Sequence, residues 1–258
     1  MNPLTRFAVR ARQALRGEGP LARGAALVGV AAPLARGAAL VGVVAPFALA
    51  LALSPPARAE GGAPGATALD VRGFRVVKRD SGPVNYYRVV EDPTLPFLRA
   101  EYRPPLATTV LGFQLPEAER ARARHLKWSW RAVTLPKNGN ECAKGAEDAA
   151  ATVYATWKRG LRWYTLKYQW SASGTKGAVC GRKRNPFLAQ ETVILESGGP
   201  LNTWRHESID LEAEFRKHFE GGDPNAEVPP FVGVGILTDG DQTASESAAD
   251  YAGFSISP

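Results

Sequence analysis

Two stretches, AATVYATWK (150–158) and LRWYTLKYQW (161–170), alternate in polarity along their length and are separated by only a tight turn. In a strand, successive side chains point to opposite faces. Val153, Ala155 and Trp157 therefore oppose Thr152, Tyr154 and Thr156 in the first stretch. Tyr164, Leu166, Tyr168 and Trp170 oppose Trp163, Thr165, Lys167 and Gln169 in the second. The turn at Lys158–Leu161 predicts an antiparallel hairpin. A chain carrying such a pair has to build a sheet with one face buried.

The rest of the chain repeats the theme. Short segments rich in Val, Tyr, Trp, Phe and Thr are expected as strands near 73–78, 85–91, 96–103, 109–114, 125–133, 190–197, 202–206, 230–238 and 251–256, punctuated by Gly, Pro, Asn and Asp. In HLKWSWRAV, Leu126, Trp128, Trp130 and Ala132 share one face and Lys127, Ser129 and Arg131 the other. Such spacing predicts an all-β, jelly-roll-like antiparallel β-sandwich. One short amphipathic helix is expected in DLEAEFRKHF (210–219), with Leu211, Phe215 and Phe219 on one face, Asp210 as N-cap and Gly221 as stop. PEAERAR (116–122) reads as a surface turn.

Cys142 and Cys180 are the two cysteines of the chain. They flank the hairpin on the side where its two strands begin and end, so pairing brings them within bridging distance. Closing that loop contributes about 4 kcal/mol on the chain-entropy model.

A net charge of +7 invites a nucleic-acid reading, until the charges are placed. Seven of the 32 basic residues but one of the 25 acidic residues lie in 1–59, leaving 25 basic and 24 acidic residues beyond. The body is near neutral and has no broad basic face for phosphates, which excludes nucleic acid as the expected partner. The leader has a basic start, the apolar run AALVGVVAPFALALALS and a small-x-small site at Ala57-Arg58-Ala59, the order of a cleavable signal for the general secretion route. It contains a 13-residue tandem duplication, LARGAALVGVAAP (21–33) and LARGAALVGVVAP (34–46). The expected organisation is a signal peptide over 1–59, a flexible lead-in over 60–68 and a single domain over 69–258. No stable transmembrane segment is expected after cleavage. The destination is the periplasm, the outer membrane or the medium.

Several side chains are candidates for chemistry. Tyr168 and Trp170, at a strand end beside the Cys180 loop, are expected to reach a ligand by ring stacking. Asp239 and Asp241 in TDGDQT can hold a hard cation such as Ca²⁺, or can form an Asx-rich turn. Asp148, Glu196, Glu207 and Asp239 are the carboxylates from which an acid–base pair for glycoside cleavage can be drawn. There is no G-x-S-x-G elbow, no phosphate loop and no metal-ligand spacing among His125, His206 and His218, and no cofactor is expected apart from structural calcium.

In order, YYRVVED (86–92), FLRAEY (97–102), LKWSWRA (126–132), EDAAATVYATW (147–157), LKYQW (166–170), NPF (185–187), VILESG (193–198), WRHESIDLEAEFRKHF (204–219), VGVGILTDGDQT (232–243) and DYAGFSIS (250–257) resemble the bacterial exported family described as domain of unknown function 3047. The resemblance implies a jelly-roll-like sandwich similar in outline to carbohydrate-binding modules and galactose-binding-like domains, with no established activity. It puts forward Asp148, Tyr168, Trp170, Asn185, Glu207, Asp239 and Asp241. The chain departs from the pattern at Thr152, where the family has Arg, at Gln242 and Ala244, and at Ala252 and Gly253. Three functions of different class follow. The leading one is a non-catalytic binding module for a glycan or similar polar envelope polymer. The others are a hydrolase or lyase using paired carboxylates, and a purely structural envelope domain.

Overall fold

The structure, a computed structural model, describes residues 65–77 and 85–258. The expected export signal, its duplication and the first part of the lead-in lie outside the described residues. In chain order the first strands are β1 (Thr67–Ala68), β2 (Arg75–Val76), β3 (Tyr87–Val90), β4 (Phe97–Tyr102), β5 (Leu111–Gln114) and β6 (His125–Thr134). They are followed by β7 (Ala149–Arg159), β8 (Arg162–Ser171), β9 (Val179–Asn185), β10 (Leu188–Ser197), β11 (Arg205–Asp210), β12 (Phe231–Leu237) and β13 (Ser247–Ser257). One sheet has six strands in the order β11-β6-β13-β4-β3, with β1 alongside β13; the other has seven in the order β2-β5-β12-β7-β8-β10-β9.

The faces follow the alternation of the sequence. Trp128 and Trp130 of β6 point inward and meet Tyr168 and Trp170 of β8, with ring centroids 5.5 Å apart for Trp128–Tyr168 and 6.0 Å for Trp130–Trp170. All four rings are almost fully buried. The hairpin of β7 and β8 closes through a two-residue turn in which Gly160 takes φ 57°, the left-handed conformation a tight hairpin requires at its first central position. Helix α1 (Glu117–Arg120) is a single surface turn. Helix α2 (Leu211–Phe219) starts where Asp210 accepts the N–H groups of Glu212 and Ala213, each at 2.9 Å, which satisfies two donors the helix leaves unpaired. Phe215 then packs against Tyr164 and Trp157, with centroids 5.0 and 5.6 Å apart. The helix thus covers the inner side of the seven-stranded sheet.

One carboxylate faces inward beside it. Glu191 of β10 is buried and bonded by His218 Nδ1 at 2.7 Å and Arg182 Nε at 2.9 Å, with Arg184 also on it. Burial alone would raise its pKa, but these donors hold it below the ordinary glutamate value. The group anchors α2 to the β9–β10 hairpin.

Two details depart from the expected sandwich. β9 is an extra strand; its sequence, VCGRKRN, is exposed and lacks alternation because it occupies a sheet edge. β10 inserts between β8 and β9 and pairs with β8 in parallel, from Leu188↔Trp163 to Ser197↔Ser171. The sheet is therefore mixed rather than purely antiparallel. The expected strand at 202–206 lies later, over Arg205–Asp210.

This arrangement gives the seven-stranded sheet two distinct ends. At one end β7 begins, β8, β10 and β12 finish, and Cys142 bonds to Cys180 with Cα atoms 5.5 Å apart. At the other are the turns at 160–161 and 186–187. Replacing both Cys142 and Cys180 by Ser is expected to lower unfolding free energy by about 4 kcal/mol. Urea denaturation measures this, and an unchanged midpoint would contradict the structural role of the bridge.

Candidate functional site

The outward face of the seven-stranded sheet is polar and can be read in rows from the strand register. Toward the disulfide end, Leu237, Thr152, Gln169 and Ile194 lie side by side on β12, β7, β8 and β10, and all four are buried. The next row is Gly112, Gly235, Tyr154, Lys167 and Thr192. Gln114, Gly233, Thr156, Thr165, Gln190 and Lys183 follow. The last row is Lys158, Trp163 and Leu188.

The two aromatic rings on this face are held by their cross-strand partners. Lys167 Nζ lies 5.8 Å from the Tyr154 ring centre and Lys158 Nζ 4.9 Å from that of Trp163, within the range of cation–π attraction. Gly235 positions Tyr154: a Cβ there would come within 3.3 Å of the tyrosine side chain. The lack of a side chain at 235 leaves the phenol room to lie along the sheet.

At the disulfide end this face runs into carboxylates. Asp148, Asp239 and Asp241 each offer an oxygen within 4.8 Å of the others. Asp148 is fully buried and accepts three hydrogen bonds, from Gln242 N at 3.2 Å and from Thr243 N and Oγ1 at 2.7 Å each. Asp239 Oδ1 accepts from Ala149 N at 3.1 Å, and its own N–H returns to Ala149 O. The three oxygens suit a hard cation in type and spacing. Asp148 and Asp239 also accept bonds from segments 90 or more residues away, which tie the loop after β12 to the start of β7; these are long-range contacts and not those of a local Asx turn.

Glu141 joins the group from the loop beside Cys142. Burial pushes its carboxyl up to about 7; Asp148 and Glu147 push the same way, while Lys167 and the Gln169 amide oppose them. Burial likewise pushes Asp239 well up, with Glu141 and Asp148 adding to it. Gln169 donates to Thr152 Oγ1 at 3.3 Å and has its Oε1 buried without a hydrogen-bond partner. Thr152 is buried beside it.

The other sequence candidates lie elsewhere. Tyr168 and Trp170 do not face a ligand: both are core residues, with Tyr168 Oη donating to Glu214 at 2.9 Å and Trp170 Nε1 to Gly198 O at 2.8 Å. Their register places them on the same inward face as Leu166, and that packing overrides their nearness to the Cys180 loop. Asn185 caps the β9–β10 turn through Phe187 N and Leu188 N. Glu207 accepts from Trp130 Nε1 at 3.1 Å and Glu196 pairs with Lys176 at 2.8 Å. These two acids sense each other, since Glu196 adds to the burial that raises Glu207, but they do not join Asp148 and Asp239. Tyr154, Trp163 and Glu141 were not singled out from sequence. The first two sit on the polar side of the alternation, where an aromatic among Thr, Lys and Gln is the available signal; Glu141 carries none beyond its place next to a cysteine.

A glutamic acid that stays protonated to about pH 7 in the fold but ionises near 4.5 when unfolded destabilises the fold progressively as pH rises between those values, by about 3 kcal/mol at the upper end. Below 4.5 both states hold the proton and the effect vanishes. Glu141→Gln is therefore expected to raise the melting temperature more at pH 8 than at pH 4.5. An equal shift at the two pH values, measured by calorimetry, would contradict this electrostatic picture.

Among solved structures, the chain is similar to the xyloglucanase domain of NopAA, a type three effector from Sinorhizobium fredii, in complex with cellobiose. The identity is 11%, with 76% of this chain and 99% of that one covered, at a TM-score of 0.39. It is also similar to Trichoderma harzianum endoglucanase 3 from family GH12, at 9% identity, 75% and 96% coverage and a TM-score of 0.37. The catalytic domain of Humicola grisea Cel12A, in complex with a soaked thio cellotetraose, matches at 13% identity, 66% and 95% coverage and a TM-score of 0.30. Likeness at this level fixes neither substrate nor activity. No curated protein matches the chain. Residues 84–255 match the family model described as "Protein of unknown function (DUF3047)"; the match spans well over half of the chain, which belongs to that family.

Proposed function

We propose that this protein is an exported envelope domain that binds a glycan, or a similar polar polymer, on the outward face of its seven-stranded sheet without cleaving it. The observation that carries the reading is the accessible part of that face. Tyr154 and Trp163 stand with the half-buried Thr156, Lys158, Lys167 and Gln190 and the exposed Gln114, over a strip made side-chain-free by Gly112, Gly233 and Gly235. Aromatic rings supply apolar contact to the C–H face of a sugar, and fixed donors and acceptors around them meet its hydroxyls. The leader supports an exported address. The acids support binding over cleavage, because Asp148 and Asp239 are engaged in tying the loop after β12 to the start of β7.

Calorimetric titration of the protein against a panel of cell-wall and capsular polysaccharides tests the reading. Trp163→Ala and Tyr154→Ala are each expected to weaken binding roughly tenfold, with Trp163→Phe retaining most of it and circular dichroism unchanged. No heat with any polymer of the panel would overturn it.

One observation favours a hydrolase or lyase instead: Glu141 holds its proton to about pH 7, as a general acid must. Release of new chain ends from one of these polymers, abolished in Glu141→Gln, would replace the binding reading by the enzymatic one.

A further inference from the structure

The end of the seven-stranded sheet opposite the acids carries the reverse character. Because β10 runs parallel to β8, the β7–β8 turn and the β9–β10 turn come out side by side, tied by a hydrogen bond from Trp163 N to Phe187 O at 2.9 Å. Each turn presents a large apolar side chain: Leu161 is 77% exposed and Phe187 58% exposed. Around them stand Lys158, Arg159, Arg162, Arg182, Lys183 and Arg184. Glu191 is shared by Arg182 and Arg184, and Glu220 pairs with Arg159. Lys158, Arg162 and Lys183 have no carboxylate partner among the described residues.

We infer that this pair of turns is a docking surface for an anionic phospholipid bilayer. Leu161 and Phe187 enter the headgroup–acyl boundary, and the surrounding cations meet the phosphates. Two observations converge on this occupant. Apolar side chains at the tips of two adjacent turns would be poorly placed for solubility but are well shaped for shallow insertion. The cations beside them, of which Lys158 and Arg162 lie over the Trp163 and Tyr164 rings and Lys183 is exposed, give charge complementarity to an acidic surface. The surface shares Lys158 and Lys183 with the outward face of the sheet, but its apolar tips, Leu161 and Phe187, belong to the turns alone.

The test uses the full chain as Leu161→Cys, labelled with an environment-sensitive fluorophore while Cys142 and Cys180 remain bonded to each other. Vesicles of phosphatidylcholine alone are compared with vesicles of phosphatidylcholine and phosphatidylglycerol in equal parts. The expected result is a blue shift on the mixed vesicles alone, diminished by added salt. Lys183→Glu should raise the lipid concentration for half-maximal shift about fivefold or more, and Phe187→Ser should raise it as well. A fluorophore that stays in water while the chain sediments with mixed vesicles would overturn the inference, because another segment would then make the attachment. An equal shift on neutral vesicles would also overturn it. So would a shift that grows with protein concentration in the absence of lipid, which would identify a second copy as the occupant.

Discussion

Contact between the aromatic rings of the two sheets sets everything else in this fold. Trp128, Trp130, Tyr168 and Trp170 form a continuous layer, with neighbouring centroids about 5.5 to 6 Å apart. Rings of this size cannot be turned outward without leaving a void that nothing else in the sequence fills, and substitution of one by Ala costs about 3–5 kcal/mol. Strand periodicity is two, so fixing these residues inward fixes the phase of β6 and β8 throughout, and a slip by one residue would exchange the two faces. Ser129 and Arg131 on one sheet, and Trp163, Thr165, Lys167 and Gln169 on the other, face outward as a consequence. The polar face is thus a by-product of how the interior packs.

The parallel pairing of β10 with β8 does the rest. β10 lies between β8 and β9 and starts at the same end of the sheet as β8. Inserting β10 between them sets Phe187 next to Trp163 and collects the basic residues of two turns at one end. The opposite end receives Glu141, Asp148, Asp239 and Asp241, because β12 exits there beside the start of β7. A chain whose body is almost neutral is therefore polarised along its strands. Such separation shapes approach and orientation at charged surfaces in a way net charge does not.

The alternation in 125–134 and 149–171 made the inward and outward faces of three central strands legible before any coordinates. The hairpin, the disulfide and the helix capped by Asp210 were legible for the same reason: each follows from local spacing. The site was less so. Tyr168 and Trp170 were favoured for their nearness in sequence to the Cys180 loop, although their own periodicity put them beside Leu166, and packing followed periodicity. Tyr154 and Trp163 were already on the polar face by the same rule. β9 has no period to read, since an exposed edge strand needs none, and without β9 the parallel placement of β10 cannot be inferred. The meeting of Asp148 with Asp239, 91 residues apart, depends on the order of strands in the sheet, which no local pattern encodes.

Glu141 and the disulfide meet in one loop at the acidic end of the sheet. Gathering carboxyl groups in a buried end is unfavourable even with Lys167 nearby, and Glu141 alone costs about 3 kcal/mol near neutral pH. Its chain neighbour is Cys142, whose bond to Cys180 on the edge strand β9 contributes about 4 kcal/mol and fixes the loop at the place where the acids converge. Local rules are broken most often where a protein uses the result, with compensation nearby. A buried acid next to a cross-link, where Asp148 and Asp239 also meet, fits that pattern.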